Sequence, residues 1–258
     1  YHTHDVAKAV EHYSRAIALA PRDAESQQRA SMAFLRALNS EEAQQTASAA
    51  AVVDPFNPEA RSLYGMLLML RGDNANAVKQ FVAAQRHNPA ARVSDEHLAA
   101  LVAVNDHEGA LDILRDRAVK QPDDYIVLHD LGRMLQLAGK PKAQWEEALL
   151  KARKFIHTIL KNDSSDGRAH AYLGLVSTRL GAFAEGISSA HRALAKAGSD
   201  VGTRYLVARI YALQRDKLSE GFVQLSSAAH QRLIVSALLD LDLQNLRNDP
   251  DFLRKIVE

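Results

Sequence analysis

Eleven histidines and a scatter of carboxylates are the residues of this chain that could do metal or acid–base chemistry, because it contains no cysteine. Without cysteine there is no disulfide, no thiolate metal site, no cysteine nucleophile and no covalently attached c-type haem. His2 and His4 stand two apart and can chelate from an extended segment. His87, His97, His107, His129, His157, His170, His191 and His230 occur singly, with no histidine at i+4 and no HExxH. Glu146 and Glu147 are adjacent on a helical stretch, so they point about 100° apart and cannot face one another as acid and base. Phosphate loops of the GxxxxGK[ST] or strand–GxGxxG kind are missing, as is a GxSxG elbow. Ser188, Ser189, Ser226 and Ser227 lie in helical runs without a placed base. The sequence therefore predicts no catalytic residue, no cofactor and no metal site.

The elements that would have to position any functional residue are set by a repeat. Pro21, Pro55 and Pro89 stand 34 residues apart, and each closes a matching pattern. Ala9-x3-Tyr13-x2-Ala16-x4-Pro21 is followed by Ala43-x3-Ala47-x2-Ala50-x4-Pro55, then Ala77-x3-Phe81-x2-Ala84-x4-Pro89. A unit of that length holds two antiparallel helices and their turns and cannot bury its apolar face alone. Small residues belong where two helix backbones come within about 8–10 Å, and proline cannot continue a helix. Short apolar runs such as Tyr125-Ile126-Val127-Leu128 fit a strand locally, but the register places them at a helix start.

This spacing resembles the tetratricopeptide repeat, whose first helix reads W-x2-L-G-x2-Y and whose second reads A-x3-F-x2-A before a closing P. Tyr64-Gly65-x2-Leu68 with Ala77, Phe81, Ala84 and Pro89 carries the resemblance best. Leu128-x2-Leu131-Gly132-x2-Leu135 follows, and then Leu173-Gly174, Gly181, Ala190 and Ala193. The resemblance implies an all-α, right-handed α-solenoid of antiparallel helix pairs. Residues 1–22 give the second helix of a truncated unit. Helix pairs are expected over 23–56, 57–90, 91–123, 124–165, 166–199 and 200–230, with capping helices over 231–258. Opening halfway through a unit predicts a parent protein that continues upstream of Tyr1. The register loses one residue before Pro122 and gains eight between Gly132 and Gly174. Eight residues add about two helical turns, expected from roughly Pro141 to Lys161, in a helix projecting beyond its neighbours. The tail Asn245-Leu246-Arg247-Asn248-Asp249-Pro250-Asp251-Phe252-Leu253 resembles the segment that follows such arrays in bacterial multidomain regulators, including protein kinases and adenylate cyclases. Leu243, Leu246, Phe252, Leu253 and Ile256 can cover the last apolar face.

In this family the first helices line a concave groove. Carried over residue by residue, the resemblance places Gln28, Met32, Leu35 and Arg36 on that face, then Ser62, Met66, Met69 and Leu70. Glu96, Ala100, Ala103 and Val104 follow, then His129, Arg133 and Gln136, then Ala171, Leu175, Thr178 and Arg179, then Tyr205, Arg209 and Ala212. The Lys/Asn/Arg carboxylate clamp of the chaperone-binding members is not present, since its positions hold Gln28, Met32, Ser62, Met66, Glu96 and Ala100. The asparagine ladder of the sugar-transferase arrays is also missing. What remains is an apolar, methionine-bearing first half and an arginine-bearing second half. Met66 and Met69 either pack on neighbouring helices or bind a helix or extended peptide. Arg133, Arg179 and Arg209 either face solvent or grip a carboxylate or acidic segment. Trp145, the only tryptophan, shares a helical stripe with Ala148, Leu149, Ala152, Ile156 and Ile159. If its end of the helix projects, it becomes a contact for a partner.

Composition narrows the partner. Thirty-two basic and 31 acidic residues leave a net charge of +1, which gives no global case for nucleic acid or an anionic membrane. No apolar run approaches the 18 residues of a membrane-spanning helix. The sequence therefore predicts another protein as partner, with no nucleic acid, small-molecule substrate or membrane insertion through these residues. Two further roles stay open: the regulatory arm of a larger kinase, cyclase or winged-helix regulator, and a structural subunit of a large complex. A cysteine-free chain fits cytoplasm or periplasm equally.

Overall fold

The computed structural model describes residues 2–37, 39–88, 94–228 and 234–257. Its described residues contain helices and turns and no strand. The chain divides into two compact units, residues 1–105 and 106–258. The first holds α1 (His2–Leu19), α2 (Ala24–Arg36), α3 (Ser40–Val53), α4 (Pro58–Leu70), α5 (Asn74–His87) and α6 (Asp95–Ala103). The second holds α7 (His107–Lys120), α8 (Tyr125–Leu137), α9 (Lys142–Asn162), α10 (Gly167–Arg179), α11 (Phe183–Ala197), α12 (Val201–Ala212) and α13 (Leu218–Ala228). A tail follows: α14 (Ile234–Leu239), a 3-10 turn Leu241–Leu243, α15 (Gln244–Arg247) and α16 (Phe252–Val257).

The first helices begin in a common way. Asp23, Asn57, Ser94, Asp124, Asp166 and Asp200 precede α2, α4, α6, α8, α10 and α12, and each side chain accepts a backbone N–H of the first turn. Such a cap contributes about 1 kcal/mol. Their ends also repeat. Gly72, Asn105, Gly139 and Gly181 follow α4, α6, α8 and α10 with φ of 79°, 62°, 64° and 83°. This left-handed residue reverses the chain into the next helix, and glycine takes the conformation without a Cβ penalty.

In residues 1–105, α2 pairs with α3 and α4 with α5, while α1 lies on α2, α3 on α4 and α5 on α6. Ala30, Ala43, Ala47, Ala50, Ala60 and Ala77 are fully buried, which lets the backbones approach. A Cβ on Gly65 would stand 3.1 Å from the Phe81 ring, so the α4–α5 crossing has no room to spare. Phe81 in turn stacks on His97 of α6, with ring centroids 5.5 Å apart.

In residues 106–258 the pairs are α8 with α9, α10 with α11 and α12 with α13; α7 lies on α8, the second pair lies on the first, and the third lies on the second. At 21 residues α9 is much longer than α8 with 13 or α11 with 15. Its Leu149, Ala152 and Ile156 enter a core shared with Tyr172, Leu175, Ala190, Ala193 and Ile210. Gly132 and Gly174 mark two tight crossings. A Cβ at Gly132 would meet Leu149 Cγ at 2.6 Å, and one at Gly174 would meet Ile210 Cδ1 at 2.5 Å. The tail packs on α12 and α13 through Ala237, Leu243, Leu246 and Phe252, all buried.

Candidate partner-binding surface

The first helices α8, α10 and α12 lie side by side, and each contributes one arginine to a common point. Arg133 is 0% exposed, Arg209 is 1% exposed, and the Arg179 side chain is largely buried. All three meet carboxylates of the tail. Asp242 accepts from Arg179 Nη2 through Oδ1, and from Arg209 through Oδ2, with Nη2 at 2.7 Å and Nε at 3.0 Å. Asp240 lies 3.4 Å from Arg209 Nε and accepts from the Tyr205 hydroxyl at 2.9 Å. Arg133 Nη1 stands 3.8 Å from one oxygen of each aspartate. Asp240 Oδ1 also accepts the backbone N–H of Asp242 at 2.8 Å, which fixes the two carboxylates relative to one another.

The surroundings hold this cluster rigidly. Arg179 Nη1 donates to Gln136 Oε1 at 2.9 Å, which ties α10 to α8. Asn245 Nδ2 donates to the Ala212 carbonyl at 2.8 Å, and Arg247 donates to the carbonyls of Ala237 and Asp240. Burial alone would raise the Asp242 pKa. The guanidinium groups of Arg179, Arg209 and Arg133 outweigh burial and hold the carboxyl well below the usual carboxylate range. Burial works against the Arg179 charge too, assisted by Arg133 and Arg209 and opposed by Asp242. His129 is fully buried beside the cluster, its Nδ1 3.0 Å from Asp130 Oδ1. Its pKa falls to about 4, because burial outweighs Asp130 and the charges of Arg179 and Arg209 push the same way. Its ring meets Tyr172 edge-on at 5.5 Å.

On the first helices of residues 1–105 the expected groove positions mix apolar side chains with the half-buried Gln28 and Glu96. Met32 and Met66 are half-buried, Leu35 and Met69 are buried, and Ser62 and Leu70 are half-buried. The Arg36 side chain lies outside the described residues. Trp145 is half-buried and rests on the core around Tyr172, one turn before Leu149.

The remaining residues with chemical potential are dispersed. Among the described residues no group of three or more His, Cys, Asp or Glu could hold a metal ion. Glu146 and Glu147 pair with Lys142 at 3.2 Å and Lys151 at 2.7 Å along the surface of α9. His87 stands edge-on to the 70%-exposed Phe56, and His170 Nε2 lies 3.1 Å from the Ser164 carbonyl. Ser226 and Ser227 donate to the Val223 carbonyl. The His2 and His4 side chains and His230 lie outside the described residues. No helix among the described residues is long and apolar enough to cross a membrane.

No protein-family model and no curated protein sequence matches the chain. Solved structures do. The MamA protein matches with a TM-score of 0.53 at 14% identity, over 62% of this chain and 87% of that one. A chain of the APC/C Cut9–Hcn1 hetero-tetramer matches with a TM-score of 0.50 at 15% identity, over 92% of this chain and 46% of that one. Both are tetratricopeptide proteins. The fold is tetratricopeptide-like. In the tetratricopeptide frame, Arg133 and Arg209 occupy the same position of their first helices, four residues after His129 and Tyr205 respectively. Arg179 comes four residues later in its own helix, after Leu175 at that position. Asp240 and Asp242 were not marked by the repeat, because they stand outside it. Their signal in the sequence is two acids two residues apart in an otherwise apolar tail, Leu238-Leu239-Asp240-Leu241-Asp242-Leu243.

Proposed function

We propose that this chain is a non-catalytic scaffold that holds a peptide or helix of another protein against its tetratricopeptide first helices. The residues offered are, in residues 1–105, Met32, Leu35, Met66 and Met69, with Arg36 on the same first helix as Met32, and, in residues 106–258 taken by themselves, Arg133, Arg179, Tyr205 and Arg209. The observation that carries this reading is the segment Asp240–Leu243: a non-repeat stretch of polypeptide lies on α8, α10 and α12 and is gripped by their side chains. A face that takes one polypeptide in this manner has the chemistry to take another. Methionine suits the apolar part, since its flexible thioether adapts to irregular surfaces. Trp145, half-buried, offers a second contact on α9.

Partners identified by co-purification and mass spectrometry, then purified and titrated, test the reading. Met32→Lys with Met66→Lys changes two half-buried side chains and spares the buried Met69. The affinity should fall at least tenfold with unchanged helical content. An unaltered affinity for every purified partner sinks the assignment of that face.

A further inference from the structure

The arginine cluster is selective in a way the general scaffold reading does not require. Three cations from three successive first helices meet two carboxylates spaced i and i+2, with the Tyr205 hydroxyl completing the first of them, Asp240. Two guanidinium groups share the Asp242 carboxylate, Arg179 on Oδ1 and Arg209 on Oδ2, so every acceptor position meets a charged donor. An amide of the same shape would turn an N–H toward one of them and is discriminated against. We propose that this face of residues 106–258 is a recognition site for an acidic segment of a partner protein, Asp-x-Asp or its glutamate equivalent. The chain's own Asp240–Leu241–Asp242 fills it in the absence of that partner. The proposal rests on the reading of the first helices as the partner surface.

Exchange is physically cheap in its electrostatic part. A buried ion pair gains little over its own desolvation, whereas removing one member strands a charge at a cost of roughly 3–5 kcal/mol. An incoming Asp-x-Asp replaces the same pairs with the same pairs, so no arginine is stranded when the exchange is complete. What opposes exchange is the apolar anchorage of the tail, Leu243, Leu246 and Phe252, together with its tethering. The tail leaves α13 at Ala228 and reaches Asp240 twelve residues later, a short tether that holds it at an effective concentration of the order of millimolar. A free peptide of micromolar affinity is therefore masked in the intact chain and unmasked when the tail is weakened.

A fluorescently labelled peptide with the sequence Ala-Leu-Leu-Asp-Leu-Asp-Leu-Gln is titrated with the full chain and with its Asp240→Asn/Asp242→Asn variant. The variant should bind at least tenfold more tightly than the unaltered chain, and an Asn-x-Asn peptide should bind neither. A folded variant that binds neither peptide, or both equally, overturns the proposal. Phe252→Ala covers the case in which the double variant fails to fold, because it keeps every charged member and loosens only the anchorage. It should bind the peptide at least threefold more tightly than the unaltered chain, and an unchanged affinity overturns the proposal. Light scattering on the same samples must show monomers. A dimer that dissociates on adding the peptide would mean that a second copy's tail is the occupant, which overturns the partner assignment. Met32→Lys/Met66→Lys leaves this titration unchanged, so a failure of the apolar face and a failure of the arginine face are read separately.

Discussion

His97 provides the sharpest test of how the first unit is packed. It lies buried on α6 against the Phe81 ring, and burial alone brings its pKa down from 6.5 to about 4. A depressed histidine leaves the folded state fully favoured above its unfolded pKa. That advantage is lost as the pH falls through 6.5 toward 4, because only the unfolded chain takes up the proton. At pH 7 the unfolded side chain is about a quarter protonated, and the effect is about 0.2 kcal/mol. At pH 5 it is nearly fully protonated while the folded side chain is about a tenth protonated, and the loss reaches about 2 kcal/mol. His97→Phe removes the titration, keeps the stack on Phe81 and deletes the buried Nε2, which makes no hydrogen bond. Urea unfolding of both proteins, followed by far-UV circular dichroism at pH 7 and pH 5, isolates this residue, since His129 and the carboxylates contribute equally to both. The stability of the unaltered protein relative to the variant should drop by about 2 kcal/mol between the two pH values. Parallel stability curves would refute the account of a neutral, buried imidazole.

Other substitutions probe the frame that positions the arginines. Gly132→Ala should cost about 2 kcal/mol in chemical denaturation despite the better helix propensity of alanine, because the new methyl meets Leu149 at 2.6 Å. Asp200→Ala removes the cap of α12, whose carboxylate accepts the Thr203 N–H at 2.7 Å, and should cost about 1 kcal/mol by the same measurement. Asp242→Asn should cost about 3 kcal/mol or more, because Arg179 and Arg209 lose their shared carboxylate, and it should resist rescue by added salt.

The repeat was legible because helix crossings demand small side chains at fixed intervals. Ala43, Ala47 and Ala50 read as a contact face in the sequence and are fully buried in the structure. Gly65, Gly132 and Gly174 read as packing glycines, and the space around each would admit no further methyl without displacement. The cap residues Asp23, Asn57, Asp124, Asp166 and Asp200 carried a second, unused signal at the same offset before each first helix. Arg133, Arg179 and Arg209 were legible as residues of successive first helices, but neither their burial nor their convergence on one pair of carboxylates was. Asp242 is 63 residues from Arg179 and 33 from Arg209, and no local pattern couples positions so far apart. Burial of an arginine is likewise invisible in one sequence, since it depends on a carboxylate delivered from elsewhere in the chain.

The tail behind α13 has a consequence for lengthening or grafting this array. Leu243, Leu246 and Phe252 finish the last helix pair, and Asp240 and Asp242 of the same short stretch reach the first helices of that pair and of the two before it. Array length and access to the arginines are therefore a single degree of freedom. Splicing a further helix pair in after Ala228 would carry the aspartates away with the terminus, leaving the arginines to be met by whatever acid the inserted or neighbouring protein supplies.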